Sequence, residues 1–386
     1  LRNRRLIPTS AYYLAFIGLG LVAAVLGPTI PALAELTRTS ISQISILFAA
    51  RALGYLLGSV FGGYLYDRVP GHPLMALTLV GLAITLVITP VTPLLWVLVV
   101  VLCITGLSQG LLDVGGNTLI VWVHGSGVGP YMNGLHLFYG IGTFLAPIII
   151  AQAVILNGEI TWGYWLIAAL LLLPALQLFF VPSQPNPAAE SEGASIRVHH
   201  LLVFLAAAFL FCYSSMANIF GGWIYSYAVG LGLADAAAAA YLTSTFWGAL
   251  TFGRLISIPI AVRFKPSAIL YGDLLGCVLS VGVVLLWPHS PISIWVGAAG
   301  LGLSVASLYP TTVTLVERRV NITGKVTSRF VIGSALGAMI PPWLVGQLFD
   351  VVGPPSVIYG VLFFLVIAIV VYRLMRREME AVKLMN

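Results

Sequence analysis

Between Gly106 and Pro147 two consecutive apolar segments carry a set of polar side chains: Gln109, Asp113 and Asn117 on the first, Asn133, His136 and Tyr139 on the second. Inside a lipid-spanning segment an ionisable residue costs at least about 2.5–3.5 kcal/mol, so it faces a cavity or a partner and marks function by default. Asp113 stands about eleven residues before the polar turn at His124, and His136 about six after Pro130. At ~1.5 Å per residue the two come within roughly 8 Å of the same depth on consecutive antiparallel helices. A carboxylate beside an imidazole is a natural proton-binding pair. The bland alternative is glue between two helices, with Asn117 and Asn133 satisfying both groups.

Arg51 offers Asp113 a different partner. It lies about ten residues into an apolar run, too deep to reach water comfortably, and an Arg51–Asp113 ion pair would keep the acid charged. The sequence leaves both assignments open. Asp273, about a turn and a half beyond Pro266, is expected at the membrane surface.

The second half supplies neutral hydrogen-bonding groups interleaved with aromatics: Tyr213, Ser214, Ser215, Asn218, Trp223, Tyr225 and Tyr227, then Thr243, Ser244, Thr245 and Trp247, of which Asn218, Trp223, Tyr225, Thr243 and Trp247 are the candidate solute contacts. A polyhydroxylated solute needs that mixture, side chains for its hydroxyls and ring faces for its CH patches. Aromatics also gather at membrane interfaces and hydroxyls bond back to their own helix, so about half of this set is expected to be structural.

The elements that position these groups are membrane spans. Of 386 residues 60% are hydrophobic and 8% charged, with mean hydropathy +1.03, whereas soluble domains carry about 25% charged residues. A ruler of about 20 apolar residues predicts spans near 12–34, 42–66, 72–90, 93–122, 130–156 and 161–181, and again near 200–229, 235–262, 267–287, 291–317, 325–349 and 354–374. The opening run after Arg2, Arg4 and Arg5 is too long for a signal peptide and is read as a retained first span. Cys103, Cys212 and Cys277 sit singly in apolar runs, so neither a disulfide framework nor a metal motif is expected.

The longest polar stretch divides the chain into a six-helix bundle over 1–182, a linker over 183–199 and a second bundle over 200–386. The net charge of +6 comes from basic residues in short loops: Arg68, Arg197, Arg263, Lys265, Arg318, Arg319, Lys325 and the tail from Arg373, all on one side, with Arg38 opposite. That pattern is membrane topology rather than nucleic-acid binding, and places both termini and the linker in the cytoplasm. The halves echo each other at a shift of 194 to 195: Gly58 with Gly253, Arg68 with Arg263, Gly106 with Gly300, Asn117 with Thr311, Pro147 with Pro341. Two parallel six-span repeats are the signature of the major facilitator architecture, with a solute site at the midplane. Prolines such as Pro28, Pro147, Pro310, Pro341 and Pro342 are expected to kink the gating helices.

After the second predicted span the run Gly62-Gly63-Tyr64-Leu65-Tyr66-Asp67-Arg68 resembles the loop motif of the major facilitator superfamily, with one residue inserted before the closing glycine, Gly71. Asp67, Arg68 and Arg254 are the candidate gating residues. Ala24-Val25-Leu26-Gly27-Pro28-Thr29, Arg51 to Tyr55, Leu112-Asp113-Val114-Gly115-Gly116-Asn117, Leu135 to Gly140 and Gly221-Gly222-Trp223-Ile224-Tyr225 resemble the sodium-dependent glucose transporter-like branch, related to the fucose permeases. The resemblance covers nearly the whole chain. It implies a monomeric carrier in the bilayer for a sugar-like solute, driven by a cation gradient, with Asp113 and Asn117 matching a proton-coupling acid and its asparagine.

Departures narrow what the resemblance carries over. Ala24 stands where the fucose permeases have an aspartate and Ala217 where relatives often have a glutamate, so two possible cation sites are missing and Asp113 is left as the main candidate for coupling, with a proton expected over sodium and uncoupled facilitation as the alternative. Gly106 replaces an arginine that many proton-driven facilitators carry. The leading expectation is sugar transport by alternating access, with the solute at Gln109, Asn117, Asn133, Tyr139 and the second-half set. The alternatives are an amphipathic lipid- or drug-like cargo and a transporter-shaped receptor. No Walker loop, HExxH or G-x-S-x-G occurs, so no enzyme, cofactor, metal or nucleic-acid partner is expected.

Overall fold

The computed structural model describes residues 2–183, 200–317 and 324–385; Arg197, Arg318, Arg319 and nearly all of the expected linker lie outside the described residues. Helices are α1 (Arg2–Thr37), α2 (Ile41–Ile44), α3 (Ile46–Tyr66), α4 (Gly71–Ile88), α5 (Leu95–His124), α6 (Gly129–Asn157) and α7 (Thr161–Phe180). They continue as α8 (His200–Gly230), α9 (Ala236–Arg263), α10 (Pro266–Leu286), α11 (Pro291–Val305), α12 (Leu308–Glu317), α13 (Gly324–Val352) and α14 (Ser356–Met385). Among the described residues twelve segments are long and apolar enough to cross a membrane, with α2 and α3 making the second and α11 and α12 the tenth. Among the described residues there is no strand, as lipid requires of a chain that satisfies its backbone within each span.

The chain splits into two compact units, Leu1–Glu190 with Asp235–Ser244, and Ser191–Ala234 with Thr245–Asn386. In the first, the start of α9 is tied to α6: Ser244 donates to the Phe144 carbonyl at 2.9 Å, and the Gln152 amide to the Tyr241 hydroxyl. His72, fully buried at the start of α4, joins α1 and the end of α7. Its Nδ1 lies 2.9 Å from the Val181 carbonyl, which can only accept, so that nitrogen carries the proton and Nε2 accepts from the Tyr12 hydroxyl at 2.6 Å.

Glycines set how closely the helices pack. A Cβ built on Gly106 would lie 1.8 Å from the Arg51 carbonyl oxygen, and one on Gly110 2.3 Å from that of Tyr55. Reciprocally, Gly54 and Gly58 face the Cys103 and Leu107 carbonyls at 1.9 and 2.0 Å. α3 and α5 therefore touch backbone to backbone, in the small-residue packing that replaces hydrophobic burial in lipid. Gly20 and Gly142 do the same for α1 and α6, against the Tyr139 and Ile17 carbonyls, each at 2.1 Å.

The second unit repeats the device. Gly253 faces the Leu303 carbonyl at 2.9 Å, Gly302 that of Phe246 at 2.4 Å, and Gly337 that of Phe211 at 2.2 Å. By contact, Gly58 matches Gly253 and Gly142 matches Gly337. The partner of Gly106 is Gly302, not Gly300, whose Cβ direction meets the Ser280 side chain instead. The echo read from sequence was two residues out at that helix.

The tenth span is broken at Ala306 and Ser307. Pro310 has no N–H to give the Ala306 carbonyl, so the α-helical ladder is interrupted there, and Thr311 resumes it by donating to the Ser307 carbonyl at 3.0 Å.

Candidate solute and coupling site

Gln109, Asp113 and Asn117 stand four residues apart on α5 and so share one face. The Asn117 amide donates to both the backbone carbonyl and the Oδ1 of Asp113, each at 2.9 Å. The Tyr55 hydroxyl, from α3, donates to Oδ2. Both oxygens of the half-buried carboxylate thus accept hydrogen bonds. His136, exposed on α6 and edge-on to Phe16 with centroids 6.3 Å apart, is an electrostatic neighbour of Asp113.

Tyr55 was not among the candidates read from sequence. It reaches Asp113 because the glycine-lined contact of α3 with α5 brings its turn against Gly110, and the paired spacings Gly54/Gly58 and Gly106/Gly110 are the signal that could have found it. Removing the hydroxyl in Tyr55→Phe leaves Oδ2 without its donor. We expect a loss of about 1.5–3 kcal/mol, the range for hydrogen bonds to charged groups, read as a lower melting temperature of the purified protein.

Arg51 takes no part in that cluster. Its Nη1 donates to the Ala23 carbonyl of α1 at 2.8 Å, and its electrostatic neighbours are Tyr139 and Tyr164. Among the described residues it forms no ion pair with Asp113, so the competing assignment is not the one the fold adopts. The glycine at 106 also has a steric reason: with Arg51's own carbonyl 1.8 Å from its Cβ direction, no arginine could stand there.

Gln109 is 4% exposed on α5. Asn133 is exposed on α6, and Tyr139 is half-buried on the same helix. Among the second-half candidates, the Trp247 indole N–H is buried and unpartnered. Trp223 is fully buried, donates its N–H to the Pro342 carbonyl at 2.9 Å and stacks on Phe349. Thr243, also fully buried, donates to Ala239, and Asn218 donates to the Ser214 carbonyl and hydroxyl. These three are held by packing or by their own helix. Tyr225 is half-buried on α8.

Asp67 caps the end of α3, and Arg68 lies over the Tyr64 ring, 3.6 Å from its centroid. Arg254 is half-buried on α9. Asp273 is not the surface acid expected from sequence: it is half-buried on α10 and accepts from the Ser307 hydroxyl, at the break in the tenth span.

The sequence profile of the Major Facilitator Superfamily matches residues 12–331. The chain belongs to that superfamily. It is an integral, multi-pass membrane transporter and not an enzyme. It is 32% identical to sodium-dependent glucose transporter 1 of Xenopus laevis over 84% of this chain and 72% of that one. Sodium-dependent glucose transporter 1A of Mus musculus is 30% identical over 87% and 88%. Among solved structures, a nucleoside transporter NupG mutant matches with TM-score 0.74 at 14% identity, over 96% of this chain and 99% of that one. A bacterial homologue of the human lysosomal transporter Spinster matches with TM-score 0.75 at 15% identity, over 97% and 96%. Both structural matches speak to the fold alone.

Proposed function

We propose that this facilitator carries a small polar solute, a sugar, by alternating access, and that a proton taken up at Asp113 drives it. The observation that carries the proposal is the Asp113 cluster: a carboxylate within a span, fixed by Tyr55 and Asn117, with His136 as its electrostatic neighbour. The groups on Asp113 point N–H and O–H hydrogens at its oxygens. Such donors repel a metal cation, which needs several oxygens converging on it, whereas a proton needs only the carboxylate.

Relatives named as sodium-dependent glucose transporters support a sugar as cargo. The amide of Gln109 and the unpartnered indole N–H of Trp247 are hydrogen-bonding groups suited to hydroxyls. The loop charges favour cytoplasmic termini.

The test is hexose uptake into proteoliposomes under an inward proton gradient and, separately, an inward sodium gradient at equal pH. The expected result is accumulation with the proton gradient alone. Accumulation with sodium alone overturns the ion, and failure of hexoses to compete with an amphipathic cargo overturns the solute.

A further inference from the structure

Arg51 lies part-buried in the middle of the second span and has no opposite charge beside it among the described residues. Its guanidinium stays protonated and has five N–H donors, of which one is satisfied by the Ala23 carbonyl. Neutral oxygens solvate a cation but leave its charge uncompensated, and a charge in a low-dielectric interior calls for an opposite one.

The same side chain lines a small cavity of ≈ 10 Å³ inside the first unit, together with Thr89, Thr105 and Tyr164 and the aliphatic walls of Leu86 and Leu102. That is room for about one water-sized guest, and a somewhat larger monatomic ion enters with a small outward shift of the lining side chains. The Thr89 and Thr105 hydroxyls now donate to the Thr85 and Val101 carbonyls of their own helices, at 2.7 and 2.8 Å, and can rotate toward a guest. Tyr164 is held 2.8 Å from Thr29, whose own hydrogen goes to the Val25 or Leu26 carbonyl, so the Tyr164 hydroxyl is committed as the donor of that bond.

We propose that Arg51 and this cavity form a binding site for a single halide ion, of which chloride is the natural example. The guanidinium supplies the charge and the threonine hydroxyls supply turning donors. The aliphatic walls and the single-guest volume select a compact, weakly hydrated anion over phosphate, sulfate or an organic acid. Among the described residues Arg51 makes no hydrogen bond or ion pair to Asp113, and the proposal does not rest on the identity of the solute.

The test is the melting temperature of the purified full chain in sodium chloride, bromide, sulfate and gluconate at one pH and ionic strength. Chloride and bromide are expected to raise it in a saturable way by about 2–4 °C, with sulfate and gluconate inactive and the effect lost in Arg51→Gln. Equal melting of the wild-type protein in chloride and gluconate, or an unchanged chloride midpoint in Arg51→Gln, overturns the site. Should that variant not fold, anomalous scattering from wild-type crystals grown in bromide decides: a peak beside the guanidinium supports the site, and peaks only elsewhere overturn it. Because the readouts are binding and stability, failure here leaves proton-driven uptake standing, and failure of uptake leaves this site standing.

Discussion

Asp113→Asn will abolish solute accumulation under a proton gradient and bring the final inside-to-outside ratio to one, while solute still equilibrates down its own gradient. Asparagine has the same shape but cannot titrate, so a binding step that required a proton no longer distinguishes the two sides of the membrane. Asparagine can keep its oxygen on the Asn117 amide and turn its NH₂ to the Tyr55 hydroxyl, which then accepts instead of donating. Exchanging hydrogen bonds to a charged oxygen for neutral ones should cost about 1 kcal/mol of stability, visible as a lower melting temperature but short of unfolding. Uptake with and without the gradient separates the two effects. A variant that concentrates solute as the wild type does would remove Asp113 from coupling.

Gly106→Ala should be the most damaging single-methyl change in the first unit. The new Cβ would lie 1.8 Å from the Arg51 carbonyl and 2.8 Å from the Tyr55 amide nitrogen, both backbone atoms that no rotamer change can move aside. The helices must separate along the contact where Gly54, Gly58 and Gly110 also face opposing carbonyls. Overpacking a core costs typically about 1–3 kcal/mol, and a backbone-on-backbone clash belongs at or beyond the upper end. The same displacement pulls Tyr55 from Asp113 and Arg51 from Ala23, so function falls with stability. Gly63→Ala is the control: nothing lies within 4 Å of its Cβ direction, and alanine's helix propensity should leave melting unchanged or raise it slightly. If Gly106→Ala melts like Gly63→Ala, the close contact of α3 with α5 is not what holds the first unit.

The spans could be read from the sequence because lipid imposes a length and an apolar composition that few chains meet by chance. The break in the tenth span was present only as a proline, since Pro310 says that a helix will be disturbed and not where its ladder resumes. The Gly106 echo slipped because repeat matching by position cannot see which glycine meets a carbonyl. At the site, Asp113 and Asn117 were legible because a charge in a span is rare. Tyr55 was not, because its meeting with the acid depends on how α3 and α5 are set against each other, which glycine packing decides. Trp223 and Thr243 were read as solute contacts from residue type, and burial with satisfied hydrogen bonds explains why type alone could not sort them from Trp247.

The most direct measurement is proton movement itself, followed with a pH-sensitive dye trapped in proteoliposomes of the wild-type protein while hexose is added outside in sodium-free buffer with no initial pH gradient. The prediction is acidification of the lumen that starts with the sugar, scales with the sugar taken up and disappears in Asp113→Asn. Sugar entry with no change of internal pH would contradict proton coupling at Asp113.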